Sequence, residues 1–178
     1  LDVDGRVRDL SDHIADVAGE ALLPAAIERL KKLDINALPL VDGTPQDDLR
    51  LGPCVGQTGK FVCIGLNYAD HAAESGLDVP PEPVIFNKWT SAIVGPDDNI
   101  VIPRGSKKTD WEVELGVVIG KGGSYIDEAD ALDHVAGFCV INDVSEREFQ
   151  IDFKTSEPLP ELATPSAPRA VNPSQPNL

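Results

Sequence analysis

The spacing of apolar and polar positions divides the chain into stretches of different period. In "KFVCIGLNYADHAAES" (60–75) a short apolar run, Phe61 to Gly65, predicts a strand. A turn follows, then a short helix from about Tyr68 to Ser75. "PVIFNK" (83–88) and "NIVIP" (99–103) have the length and β-branched content of further strands. "WEVELGVVIG" (111–120) predicts a longer one. Trp111, Val113, Leu115, Val117 and Ile119 then share one face, and Glu112 and Glu114 share the other. "DEADALDHV" (127–135) reads as a short helix with Asp127 as N-cap, and "AGFCVINDVS" (136–145) as a strand again.

Upstream, "LDVDGRVRDL" (1–10) reads as a hairpin turning at Asp4-Gly5 between Val3 and Val7. "SDHIADVAG" (11–19) offers Ser11 or Asp12 as an N-cap. Pro24 stands near a helix start, with Ala26, Ile27, Leu30 and Leu33 at helical spacing. "ALPLVDGTPQDDLRLGPCVGQTG" (37–59) is a connector with one short strand. The prediction is an α+β, β-rich fold over 58–150, with a small N-terminal domain over 1–57. Residues 151–178 hold six prolines and almost no apolar periodicity, and read as a disordered or extended tail.

Composition narrows the partners. The net charge of −15 argues against nucleic acid and anionic membrane, since both require basic patches. A small anionic substrate stays compatible, because a local site can oppose the global field. No apolar run reaches bilayer length and no signal peptide is visible. Three cysteines, Cys54, Cys63 and Cys139, form no C-x-x-C pair, so zinc and redox motifs are not indicated and the expected setting is reduced and cytoplasmic. Cys63 and Cys139 lie in apolar runs and read as core residues.

Glu112 and Glu114 carry the first candidate chemistry. Two residues apart on one strand face, their backbones are about 7 Å apart. If partly buried they repel, and a divalent cation removes the conflict; oxygen-only ligands favour Mg²⁺, Ca²⁺ or Mn²⁺ over zinc. Asp143, at the end of an apolar strand, is available as a third ligand. The alternative is a solvated face with ion pairs to lysines such as Lys107 and Lys108. His71 and Glu74, three apart on a helix, share a face, and a carboxylate beside an imidazole makes a general base for water. The alternative there is an ordinary exposed helix. Gly65 and Asn67 precede that helix, where backbone N–H groups can meet an anionic oxygen. His134, beside acidic residues, reads as structural.

Together, "KFVCIGLNYADHAAE", "PVIFNKWTSAIVGP", "IVIPRGSKKTDWEVELGVVIG" and "AGFCVINDVSERE" resemble the fumarylacetoacetate hydrolase family in order and spacing. Within it they resemble the bacterial 2,4-diketo-3-deoxy-L-fuconate hydrolase-like and acylpyruvase-like members. The resemblance implies a mixed β-roll, usually dimeric, acting on a small anionic keto acid. It implies Glu112, Glu114 and Asp143 as ligands of Mg²⁺, with Mn²⁺ an alternative, and His71 and Glu74 as the water-activating dyad. The segment around Phe86, Lys88 and Ser91 is expected to line the pocket, and Arg147 is left without a role. The implied reaction cleaves a C–C bond of a 2,4-diketo acid to pyruvate and a carboxylic acid. A decarboxylase, isomerase or lyase of oxaloacetate or ureidoglycolate type would use the same metal-enolate chemistry. After about Gln150 the motif resemblance stops: the family's downstream lysine, closing strands and late G-T-P-x-G loop are not recognisable. An inactive, shortened family member is therefore the third reading.

Overall fold

The computed structural model describes residue 4 and residues 6–41, 49–74 and 76–151. These fall within two compact units, one within Leu1–Val101 and Val113–Ile141, the other within Ile102–Glu112 and Asn142–Leu178. Residues on both sides of position 57 fall in the first. The 151–178 tail, beyond its first residue, lies outside the described residues, as do most positions of the hairpin expected at Asp4-Gly5.

In the first unit, helix α1 (Pro24–Leu30) starts where its sequence directs. Proline at the first helical position has no N–H to leave unsatisfied, and its ring fixes a helical φ. Ala26 is the buried residue of α1. Leu33 falls past the helix end, in a turn closed by its N–H to the Leu30 carbonyl at 3.0 Å. The stretch 11–19 forms no α-helix. Its turn is capped by Asp9, whose Oδ1 accepts from the Ser11 N–H at 2.8 Å, rather than by Ser11 or Asp12. Gly19 takes a positive φ of 51° and leads into a 3-10 turn, Gly19–Leu22. Arg8 bridges antiparallel to Leu40, so this N-terminal segment pairs with the connector strand. Its guanidinium also donates to the Leu38 carbonyl at 2.8 Å.

Strand β1 (Val62–Gly65) pairs antiparallel with β2 (Val84–Asn87), Gly65 opposite Val84. Helix α2 (Ala69–Glu74) lies between them in sequence and buries Ala72. "NIVIP" forms no strand: Val101 is 86% exposed and Ile100 and Ile102 are exposed beside it. An apolar run without a ladder partner gains nothing from extended backbone.

The alternating stretch is shorter than predicted. β3 (Thr109–Asp110) and β4 (Val113–Ile119) are separate strands, and Trp111 and Glu112 lie between them. β4 pairs with β5 (Val135–Asn142). They run antiparallel: the Gly120 N–H donates to the His134 carbonyl at 2.9 Å, and Gly116 lies over Cys139 and Ile141 further along. The 127–135 segment is a 3-10 helix, Glu128–His134, and the Asp127 side chain makes no cap hydrogen bond. His134 is structural, its Nδ1 donating to the Lys121 carbonyl at 2.8 Å.

Alternation along β4 holds, but the faces are inverted relative to an ordinary core. Glu114, Gly116 and Val118 lie on the more enclosed side, while Val113, Leu115, Val117 and Ile119 are exposed. Phe138 and Val140 of β5 are exposed too. No large side chain is fully buried among the described residues.

In the second unit, β6 (Ser145–Glu146) pairs antiparallel with β3, Thr109 opposite Glu146 and Asp110 opposite Ser145. Helix α3 (Arg147–Ile151) follows at once. No helix among the described residues is long and apolar enough to cross a membrane.

Candidate active site

The β3–β6 pairing brings two of the predicted acidic residues together. Past its end, the Asp143 N–H donates to the Glu112 carbonyl at 2.8 Å and the Glu112 N–H donates to Asn142 Oδ1 at 3.3 Å. The Asn142-Asp143 corner is closed by the Val144 N–H on the Asn142 carbonyl at 3.2 Å. Glu112 and Asp143 thus sit on adjacent, cross-bonded segments of one unit, both half-buried.

The electrostatics of this corner are set by Arg147. Its backbone N–H donates to the Lys108 carbonyl at 2.9 Å, which fixes the start of α3 against the β3 approach. Its guanidinium forks: Nε and Nη2 donate to Asp110 Oδ2 at 3.0 and 2.9 Å, and Nη2 also donates to Glu112 Oε1. Planar donors of this kind suit two carboxylates at once. Hydrogen bonding to Glu112 holds the Arg147 proton more firmly than usual, against the opposite pull of burial and with help from Asp110. The Arg147 fork and the Trp111 N–H hold the Asp110 carboxyl below its ordinary value. Glu112 is therefore ion-paired to Arg147, while Lys108 pairs with Glu148 at 3.8 Å. For Glu112, the ion-pair partner is an arginine 35 positions on.

Behind the corner, Glu146 is a hub. Its carboxylate accepts from the Phe149 N–H at 2.7 Å, Ser106 Oγ at 3.0 Å and the Lys108 N–H at 3.1 Å. Burial pushes this carboxyl up, but those donors and the Lys107 N–H outweigh it and hold it below its ordinary value.

The other predicted residues belong to the first unit. Glu114 lies on the enclosed side of β4, next but one to buried Gly116. His71 and Glu74 lie on α2, both exposed. No hydrogen bond or ion pair joins them; the His71 N–H donates instead to Asp70 Oδ1 at 2.9 Å. Gly65 ends β1, and a Cβ there would only touch Val84 and Phe86 at 3.6 Å, so space does not demand glycine. The demanding position is Leu66, with φ of 52°, a left-handed conformation that costs a branched residue energy. That turn presents exposed Asn67 and starts α2, and nothing in the sequence marked Leu66 for it. Lys88 follows β2, its N–H donating to the Phe61 carbonyl at 3.2 Å, and exposed Ser91 sits in the 3-10 turn Thr90–Ala92.

Among the described residues no three His, Cys, Asp or Glu side chains draw together as a metal cluster. The donor set of Glu112 and Asp143 still fits a hard cation in kind: oxygen-only, half-buried and braced by the backbone bonds above. Glu114, the third predicted ligand, lies in the other unit. An open cleft of about 690 Å³, lined by Leu23, Pro24, Ala25, Lys121, Leu132, Asp133 and Val135, contains none of the predicted site residues.

Short strands with few and short helices mark a β-rich protein. The family can be stated outright: residues 60–168 match the model described as fumarylacetoacetate (FAA) hydrolase C-terminal, and the chain belongs to that family. The match passes Gln150, where the recognisable motifs end, and runs 18 residues beyond it. A "Putative hydrolase" of Burkholderia ambifaria (strain MC40-6) is 64% identical over 152 residues, 85% of this chain and 52% of the relative. A relative from Burkholderia multivorans is equally similar over the same shares. Among solved structures, a "putative HpcE protein" from Mycobacterium smegmatis is 35% identical with a TM-score of 0.65, over 90% of this chain and 55% of that one. A fumarylacetoacetate hydrolase from psychrophilic Exiguobacterium antarcticum is 30% identical with a TM-score of 0.58, over 82% and 51%. The chain spans about half the length of the curated relatives it matches.

Proposed function

We propose that this chain carries the site of a divalent-metal-dependent hydrolase that cleaves a C–C bond of a 2,4-diketo acid, an acylpyruvate or a diketo-deoxy sugar acid. The observation that carries the proposal is the extent of the family match: residues 60–168 include every predicted site residue, from Gly65 to Asp143. Glu112, Glu114 and Asp143 would hold the cation, Mg²⁺ first and Mn²⁺ or Ca²⁺ as substitutes. When bound, the cation supplies Lewis acidity toward adjacent oxygens of the keto acid.

The chain's own residues supply the rest. The His71 imidazole takes a proton from water, and the water oxygen attacks the carbonyl distant from the carboxylate. Glu74, one helical turn on, fixes the imidazole tautomer. Both side chains are exposed in the structure, so no packing opposes the rotation that pairs them. The C–C bond breaks, its electron pair leaves as the enolate of pyruvate, and that enolate takes up the proton. One pyruvate and one carboxylic acid result. N–H groups at the Gly65–Asn67 turn, with Lys88 and Ser91, receive the anionic end of the substrate. The whole protein is proposed to work as a cytoplasmic homodimer, with a small domain over 1–57 preceding the catalytic part.

Incubation with Mg²⁺ and an acylpyruvate, beside a parallel incubation with oxaloacetate, tests the reaction. The proposal expects equal amounts of pyruvate and carboxylic acid from the first. Carbon dioxide from oxaloacetate, with the acylpyruvate untouched, would assign decarboxylation instead.

A further inference from the structure

Within the first unit, a side-chain fork ties the connector before β1 to the loop after β2. Arg50 Nε donates to Asp98 Oδ1 at 2.7 Å, and Arg50 Nη2 donates to Asp98 Oδ2 at 2.7 Å. Two bonds between a planar guanidinium and a planar carboxylate fix orientation as well as distance. Asp98 Oδ2 also accepts from the Gly95 N–H at 2.7 Å, and the Asp98 N–H donates to the Gly95 carbonyl at 3.3 Å. Bonds from Arg50 first, and from Gly95 next, hold the Asp98 carboxyl below its ordinary value. The connector backbone is seated at the same place: a Cβ on Gly95 would stand 1.9 Å from the Leu51 carbonyl oxygen. The loop is thus fastened at both ends. At its start the Lys88 N–H donates to the Phe61 carbonyl at 3.2 Å, and at its finish stands the fork. Of residues 89–98 only Gly95 is buried, and Trp89 is 78% exposed. The turn Thr90–Ala92 between the two fastenings closes on itself, the Ala92 N–H donating to the Trp89 carbonyl at 2.9 Å.

We propose that Arg50 and Asp98 are positioning residues, whose fork clasps the 88–98 loop to the connector and so sets where Lys88 and Ser91 stand. This rests on the reading of Lys88 and Ser91 as groups that receive the anionic end of the substrate. The Arg50 side chain is 71% exposed and that of Asp98 17%, so the clasp is a wet pair that opens without unpairing β1 and β2. A loop with so little burial of its own depends on such a fastening. Substrate affinity scales with the fraction of chains whose loop is in place. The proton transfer at His71 does not draw on the loop once substrate is bound. Loss of the clasp therefore acts on KM and leaves kcat.

Arg50→Gln removes the fork at an exposed position and leaves the strands intact. Hydrogen exchange read by mass spectrometry follows the loop without any turnover. Peptides covering 89–98 are expected to exchange at least about twofold faster than in the parent, the scale of one wet ion pair. Peptides from β1 should be unchanged. Arg50→Lys, which keeps the charge but not the fork, should fall between the two. Lys31→Gln, at the exposed pair with Glu28, should match the parent. With Mg²⁺ and an acylpyruvate, Arg50→Gln should raise KM by about twofold or more at unchanged kcat, and Arg50→Lys should recover part of the loss. Unchanged exchange over 89–98 would overturn the clasp. Faster exchange with KM unchanged, or a fall in kcat alone, would overturn its positioning role. A parent that releases no pyruvate would instead sink the reaction proposed above, and the exchange comparison alone would then decide the clasp.

Discussion

Replacing Arg147 with glutamine is predicted to strengthen divalent-cation binding. In the structure the guanidinium already neutralises Glu112, a predicted ligand, so a cation must compete with it for the carboxylate. The pair's side chains are 25% and 29% exposed, more enclosed than a surface pair but still wet. That places the interaction near the top of the exposed range, about 1 kcal/mol. The Asp110 arm of the fork is too exposed to add to this. Losing about 1 kcal/mol of competition tightens binding by about fivefold, since about 1.4 kcal/mol is tenfold. Isothermal titration with Mg²⁺ in metal-free buffer measures it directly. Lys31→Gln serves as the control, because it makes the same change in net charge at an exposed pair with Glu28 and should leave the affinity unchanged. An Arg147→Gln affinity equal to or weaker than the parent's would refute the competition and mark Arg147 as a residue that orients Glu112 for the ion.

Three further outcomes are expected. Gly120→Ala should lower stability by about 1–3 kcal/mol in urea unfolding, because its Cβ would stand 2.2 Å from the Leu22 carbonyl oxygen; Gly122→Ala, with open space, should be neutral. Glu146 has a folded value below its ordinary 4.5, so its contribution is present above that pH and lost as pH falls through the folded value. Glu146→Gln should therefore flatten the acid limb of the stability profile, as followed by thermal melts from pH 6 downward to about pH 3. His71→Ala should abolish turnover while leaving the Mg²⁺ titration unchanged, since the imidazole serves water and not the ion.

Much of this is legible in the sequence, for a physical reason. Alternation tells which side chains share a strand face, and Val113 to Ile119 obeys it residue by residue. It cannot tell which face is covered, and here the carboxylate and glycine side is the enclosed one. "NIVIP" shows the limit from another side: β-branched composition favours a strand only where a ladder partner exists. At Ser11 the expected N-cap does not form, because its N–H is captured by Asp9 two residues earlier. The His71–Glu74 spacing and the Asn142-Asp143 corner could be found from sequence because each is local. The ion pair of Arg147 with Glu112 could not, since it depends on β3 meeting β6. Leu66 escaped for a related reason: its left-handed φ is imposed by the β1-to-α2 turn and not by its own preference.

Glu114 and His71 are proposed to serve one metal-dependent hydrolysis. The most direct test follows pyruvate release from an acylpyruvate with a coupled lactate dehydrogenase assay, with and without Mg²⁺, in the parent chain, Glu114→Ala and His71→Ala. Mg²⁺-dependent pyruvate is expected in the parent and none above background in either variant. Pyruvate release by Glu114→Ala at the parent's rate and with the parent's Mg²⁺ dependence would contradict it.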